Sequence, residues 1–423
     1  MSSPVFEIKE HIIDASHIRE YPRATAHSQE EVLKVAVKQY IPKSNPNPQP
    51  GDVTVIGVHA NGFPKELYEA MWEDLVSASA ARGFRIRAIW IADMAWQGVS
   101  GALNEGRLGS DPSWSDASRD MLHMVNVFRA EMPRPLVGVG HSFGGAIVAN
   151  AAFMHPRLFE ALVLMDPVLM HFRSIEPQVV GGGPQVASAA RRDLWPSRRD
   201  AEASFRRSPF YRTWDPRALD AWCRHGLRDC PTALYPDAPA GSVTLATTKH
   251  QEVFTYLRQR AQRLDPATGR FVFDRALLRD IQPAMLSELP DYDFYQPDSD
   301  RVFRRLPDVA PGVLWIFGST SNLSTPALRA EKLAATGTGV GGSGGVAAGR
   351  VAEHVVEGVG HLVPMERPTV CAEQAAAWIG REMERWRKEE EDLQAWWRKP
   401  DREKWTIDDQ LKAMIGQPRR SKL

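Results

Sequence analysis

Three cysteines in 423 residues leave no room for a disulfide framework, because Cys223, Cys230 and Cys371 cannot all pair. Their spacing fits no zinc-ligand pattern either. They read as free thiols of a reducing compartment or as core filler. Net charge is missing too: 52 basic side chains face 52 acidic ones, so no overall field points to nucleic acid or to a membrane surface. No run of about 18 apolar residues occurs, so no transmembrane helix is expected. The opening "MSSPVFEIKEHIID" has no basic stretch followed by an apolar one, and does not read as a secretory signal. The remaining composition, 43% hydrophobic and 25% charged, is that of a globular protein. The length suits one large α/β domain with an insertion, or two domains.

The apolar pattern favours the first. "FEIKEHII" and "LKVAVKQYI" read as strands. "VTVIGVHA" (53–60), "FRIRAIWIAD" (84–93), "PLVGVGHS" and "ALVLMDP" (161–167) are short, nearly continuous apolar runs. Strands buried on both faces look like this. Helical periodicity fills the gaps, and the first helix stops at Gly83. Alternation of strand and helix predicts a mostly parallel sheet with helices on both faces. It stops after Asp166 and resumes with "GVLWIFG" (312–318), a helix near 325–335 and a strand at 349–358. The intervening text is rich in Arg, Trp, Phe and Pro and reads as helices and loops. The expected organisation is therefore a core of residues 1–167 and 307–380, an inserted lid of residues 168–306, and a C-terminal helix and tail of residues 381–423. The lid should cover the sheet's C-terminal edge, where ligands bind in such folds. "TGTGVGGSGGVAAG" contains G-x-G-x-x-G at Gly337, Gly339 and Gly342, but neither follows a strand nor opens a helix, so it reads as a loop and not as a dinucleotide site.

"VGVGHSFGGAIVANAA" carries the chemistry. Gly140-His141-Ser142-Phe143-Gly144 fits G-x-S-x-G between a strand and a helix, the context that motif needs. A serine at the tip of such a turn sits in strained backbone, and residues two before and two after it must be small. The backbone N–H of Phe143 is placed to donate to an oxyanion. A second donor is expected from the loop after the strand at 53–60, at Asn61, with Gly62 and Phe63 as alternative registers; His59 should brace this loop. "VEGVGHLVPMERP" puts His361 in a loop after the strand at 349–358, within reach of the serine as a base. The acid is the odd member. The loop after "LWIF" is where such sites usually carry it, yet no acid occurs from Gly318 to Ala330. Asp166 ends the strand that follows the nucleophile helix. Neighbouring strand ends lie only about 4.8 Å apart, so its carboxylate can reach the same imidazole. Asp291 and Asp293, late in the lid, are the competitors.

Together these motifs resemble the α/β-hydrolase family. "HANGFPKELYE", "GHSFGG", "LMDP", "SFRRSPFYRTWDPRALDAW" and the terminal Ser-Lys-Leu are similar, more narrowly, to a group of fungal peroxisomal hydrolases. That group includes acyl-CoA hydrolases of mycophenolic-acid-type pathways, hydrolases of host-toxin pathways and a yeast peroxisomal lipase. The resemblance implies a serine hydrolase cleaving acyl-CoA thioesters, with a carboxylesterase or lipase as the alternative, and an acid at Asp166. It needs neither metal nor cofactor. Ala60 stands where relatives have Gly, which leaves the oxyanion register open. Ser421-Lys422-Leu423 reads as a peroxisomal address for an import receptor. Residues 191–212 hold seven arginines against three acids and could face CoA phosphates or form a solvated lid surface. Phe63, Trp195, Phe205, Phe210 and Trp214 are candidates to shape the acyl pocket. The Trp-rich segment from Trp378 to Trp405 reads as a long helix that could dock on the domain or on a second copy, as a homodimer.

Overall fold

The computed structural model describes residues 3–171, 183–259, 262–269, 271–274, 276–277 and 294–416. Asp291, Asp293 and the terminal Ser421, Lys422 and Leu423 lie outside the described residues. Eight strands form the main sheet: β1 (Phe6–Asp14), β2 (Lys34–Pro42), β3 (Val53–Val58), β4 (Ile86–Ala92), β5 (Leu136–His141), β6 (Ala161–Met165), β7 (Gly312–Gly318) and β8 (Val351–Val356). Their order is β1-β2-β4-β3-β5-β6-β7-β8. β1 and β2 enter antiparallel, and every pair from β4 to β8 is parallel. β3, β5, β6 and β7 are buried at every position, which is why they are nearly continuously apolar instead of alternating, with Thr54 and His141 as the polar exceptions. The edge strand β1 is exposed at several positions.

Helices Glu69–Ser79 and Pro368–Trp397 cover one face, burying Met71, Trp72, Leu75, Ala375, Ile379 and Met383 against β3 and its neighbours. Helices Trp114–Val127 and Phe143–Met154 cover the other, with Met121, Ile147 and Val148 over Ile56, Trp315 and Phe317. The last long helix runs unbroken through residue 380, where the sequence suggested a boundary. Trp378 and Trp386 are buried on the core, whereas Trp396, Trp397 and Trp405 are exposed. No helix among the described residues is long and apolar enough to cross a membrane.

The inserted segment holds helices, as expected, and also a three-stranded antiparallel sheet with Val243–Leu245 between Leu194–Trp195 and Leu227–Asp229. Strands of two or three residues are too short to show alternation, so the pattern hid them. The glycine-rich loop is a packed turn. Gly337 and Gly339 donate to the carbonyls of Leu306 and Pro307, each at 2.8 Å, and a Cβ at Gly342 would meet the Pro307 carbonyl at 2.3 Å. Its glycines serve close backbone approach. All three cysteines are free thiols.

Candidate active site

The sheet register builds the site. Met165 pairs with His141 on one side and with Ile316 on the other. The first residues past β5 and β6 therefore stand side by side. Ser142 N–H donates to the Met165 carbonyl at 3.0 Å, and Asp166 N–H donates to the Ile316 carbonyl at 2.7 Å. Both have positive φ, 58° at Ser142 and 39° at Asp166, a strained geometry that a well-packed surround must hold. The surround is tight. A Cβ on Gly140 would stand 2.6 Å from the Gly144 carbonyl oxygen, and one on Gly145 2.5 Å from Pro167 Cβ.

His361, in the loop after β8, joins the other two. Its Nδ1 lies 2.6 Å from Asp166 Oδ2 and its Nε2 2.8 Å from Ser142 Oγ. The Nδ1–H must donate to the carboxylate, which leaves the Nε2 lone pair to accept the serine proton. Burial pushes the Asp166 carboxyl up, but the hydrogen bond and charge of His361 and two hydroxyl donors outweigh it and hold the group below the usual carboxylate range. Those donors are Ser321, 2.6 Å from Oδ2, and Ser324, against Oδ1. Both lie in the acid-free loop after β7. That loop is not simply vacated: its hydroxyls hold the acid supplied by the neighbouring strand.

On the opposite side of Ser142 lies the loop after β3. The N–H groups of Ala60, Gly62 and Phe63 are engaged, by Tyr68 Oη (2.8 Å), Gln97 Oε1 (2.9 Å) and the Ala60 carbonyl (3.2 Å). Of the three registers considered, only Asn61 thus has its N–H without a partner among the described residues, and Asn61 and Phe143 border the same cavity as Ser142 and His361. The Asn61 amide is clamped, accepting from Gln97 Nε2 at 2.6 Å and donating to the Glu252 carbonyl of the lid at 3.0 Å. His59 braces the loop, donating through Nδ1 to the Ala60 carbonyl at 2.8 Å and accepting from Met94 N–H at 3.1 Å.

A second chain of contacts went unnoticed in the sequence. Tyr68 Oη, having accepted from Ala60, lies 2.9 Å from His141 Nδ1, and His141 Nε2 lies 3.0 Å from the His361 carbonyl. Burial pushes His141 down to about 3, so it is neutral, accepts from Tyr68 and donates to His361. Oxyanion loop, elbow and base loop are thereby tied together. The only signal was the His at the second position of the G-x-S-x-G motif.

Two chambers open at Ser142. One of about 240 Å³ presents a mainly apolar surface, from Trp114, Val168 and Leu323 among others, with polar side chains such as Gln185, Gln296 and Asn322 between them. The other, about 570 Å³, lies under the lid and is walled by Phe63, Trp195, Phe205 and Phe210, with Arg191 and Arg192. Asn61, Ser142, Tyr256 and His361 border both. Trp214, grouped with these aromatics from the sequence, is not on either wall. It is buried behind Phe63, edge-on at 5.7 Å, and beside Trp222.

The profile described as the alpha/beta hydrolase family matches residues 55–374. The chain belongs to the α/β-hydrolase family. It is 43% identical over 409 residues, 92% of this chain and 91% of the relative, to type I acyl-CoA thioesterase mpaH' of Penicillium brevicompactum. It is 42% identical to type I acyl-CoA thioesterase mpaH of Penicillium roqueforti (strain FM164), over 93% of this chain and 92% of that one. Among solved structures, the peroxisomal alpha-beta-hydrolase Lpx1 from Saccharomyces cerevisiae shares the fold with a TM-score of 0.66 at 17% identity, over 98% of this chain and 96% of that one.

Within this α/β-hydrolase the lid arginines divide. Arg191 and Arg192 reach the larger chamber, where Arg191 pairs with Glu252 at 2.9 Å. Arg198 pairs with Asp229, and Arg206 with Glu202 and Asp220, on the lid's outer side. The elbow of the hydrolase also makes a testable demand. A Cβ on Gly144 would stand 2.6 Å from the carbonyl oxygens of both Val58 and His59. Backbone on both cannot rotate away, so Gly144→Ala is expected to cost about 3 kcal/mol in urea unfolding and to lower kcat by displacing the Asn61 loop. An unchanged midpoint and kcat would show that the packing is looser than these distances require.

Proposed function

We propose that this hydrolase cleaves acyl-CoA thioesters in the peroxisome, through Ser142, His361 and Asp166. The observation that carries the reading is the hydrogen-bonded Ser142–His361–Asp166 line opening into two chambers, one mainly apolar and one edged by two arginines. The names of the Penicillium relatives support the thioester, and the terminal Ser421-Lys422-Leu423 supports import by the peroxisomal receptor. Ser142 Oγ attacks the thioester carbonyl while its proton passes to His361 Nε2. The N–H groups of Asn61 and Phe143 receive the oxyanion. As the C–S bond breaks, His361 returns the proton to the CoA sulfur. His361 then takes a proton from water, the resulting hydroxide attacks the acyl-enzyme, and the free acid leaves with Ser142 reprotonated. Asp166 holds the imidazole's tautomer and balances its transient charge.

In this reading the arginine-edged chamber takes the CoA arm and the smaller one the acyl group, so Phe63, Trp195, Phe205 and Phe210, expected from the sequence to shape the acyl pocket, wall the CoA side instead. The test is kcat/KM on an acyl-CoA, on the matching N-acetylcysteamine thioester and on the matching methyl ester. The acyl-CoA should be preferred. Arg191→Ala with Arg192→Ala should raise KM for it by about tenfold, equal to losing about 1.4 kcal/mol of charge-assisted contact, and leave the N-acetylcysteamine thioester unaffected. A strong preference for the methyl ester would sink the thioesterase reading in favour of a carboxylesterase or lipase.

A further inference from the structure

A buried lysine that this reaction does not use stands close to the acid. Lys332, on the helix Pro326–Ala335, has no exposed surface. Its Nζ donates to the Leu323 carbonyl at 2.8 Å and reaches the Pro167 carbonyl at 3.4 Å. The Phe317 ring lies 5.4 Å away. Leu323 lies between Ser321 and Ser324, the two hydroxyls on Asp166, and Pro167 directly follows Asp166. One ammonium thus joins both segments that place the carboxylate. Burying a charge is costly, and a methionine would fill similar space, so packing alone does not call for a lysine here.

We propose that Lys332 is a positioning residue for the acid: it fixes the Asp166 carboxylate between the two segments, and its charge opposes protonation of His361 so that the base stays free at lower pH. The proposal rests on the triad reading above. Its physics is Coulombic. A fixed positive charge near the Asp–His pair stabilises the state with neutral imidazole and disfavours a second cation there. Few other groups compete. His361 faces Asp166 and, at 5.3 Å between rings, the neutral His141; Glu366 and Arg367 stand at the end of the short helix Val363–Glu366 that follows its loop. Lys332 feels Asp166 and its neighbour Glu331. Arg329 on the same helix reaches the Ser324 carbonyl at 3.3 Å and lies 3.6 Å from Glu353. Burial brings Lys332 down to about 8, so it keeps its charge through the neutral range.

The test is the pH profile of kcat/KM with p-nitrophenyl butyrate. Lys332→Gln keeps an N–H donor and removes the charge; its acid-limb midpoint should rise by about one pH unit. Lys332→Arg should hold the wild-type midpoint. A lower kcat with an unmoved midpoint in Lys332→Gln would mean that the lysine only props the loop, and would overturn the proposal. A measurement that does not depend on these variants folding is NMR titration of ¹³C-labelled lysine in the wild type and in Asp166→Asn. Loss of the carboxylate should lower the Lys332 midpoint, and an unchanged one also overturns the proposal. Wild-type hydrolysis that resists a serine-directed phosphonate would instead count against the triad, so the two failures are separable.

Discussion

Ser142→Ala is expected to lower kcat for CoA release by about 10⁶ while leaving the fold intact. The magnitude is that of losing the nucleophile from a serine–histidine pair, where the remaining triad members cannot act alone. The exchange removes only Oγ and its 2.8 Å contact to His361 Nε2. The strained backbone at φ 58° is held by Gly140, Gly144 and Gly145, so thermal unfolding should stay near that of the wild type. Residual turnover of about 10³-fold over water should remain, because the Asn61 and Phe143 N–H groups still receive the oxyanion. Thiol release measured with a disulfide reagent, alongside mass-spectrometric labelling of the wild type by a phosphonate, decides it. A variant that still turns over at the wild-type rate, or label elsewhere than on Ser142, would move the nucleophile.

Asp166→Asn is expected to cost about 10⁴ in kcat. An amide facing His361 Nδ1 offers N–H where a carboxylate accepted one, so the ring turns to the tautomer with Nε2–H pointing at Ser142. That tautomer cannot take the serine proton. Ser321, which shares the oxygen that becomes the amide nitrogen, rotates to accept, while Ser324 still donates to the remaining amide oxygen, so folding should survive. Asn322→Ala is the control from the loop where the acid is usually found. Asn322 borders the smaller chamber and not the carboxylate, so its truncation should act on KM for the acyl group and leave most of kcat. If Asn322→Ala abolished turnover and Asp166→Asn did not, the acid would have to be sought elsewhere.

How far these residues could be read in advance followed from how local their signals are. The fold was legible because strands buried on both faces are nearly continuous apolar runs. Ser142 and His361 were legible because an elbow and a strand-end loop have nearby glycines and prolines. Asp166 was reached by elimination, from an acid-free loop and the spacing of neighbouring strands. Ser321 and Ser324 were not legible as partners of that acid, since serines in a loop more commonly serve its own turns. Tyr68, Gln97 and Lys332 act across long sequence distances, and no local pattern marks them. Trp214 failed for a related reason. Composition cannot tell the aromatic that lines a wall from the one standing behind it. The arginine run divided likewise, because pairing with Glu202, Asp220 and Asp229 depends on where the lid folds back.

The level alignment of β5, β6 and β7 has a meaning for how such a site can change over time. Because Met165 is in step with both His141 and Ile316, β5 and β6 end as a shelf at one height beneath the imidazole, and β7 runs on to Gly318 before its loop returns to that shelf through Ser321 and Ser324. A carboxylate set down at either of two places on that shelf meets the same ring nitrogen, so it can migrate between them without moving the base or the nucleophile. What has to change alongside it is small: hydroxyls at the place left behind, turned to serve the place taken up.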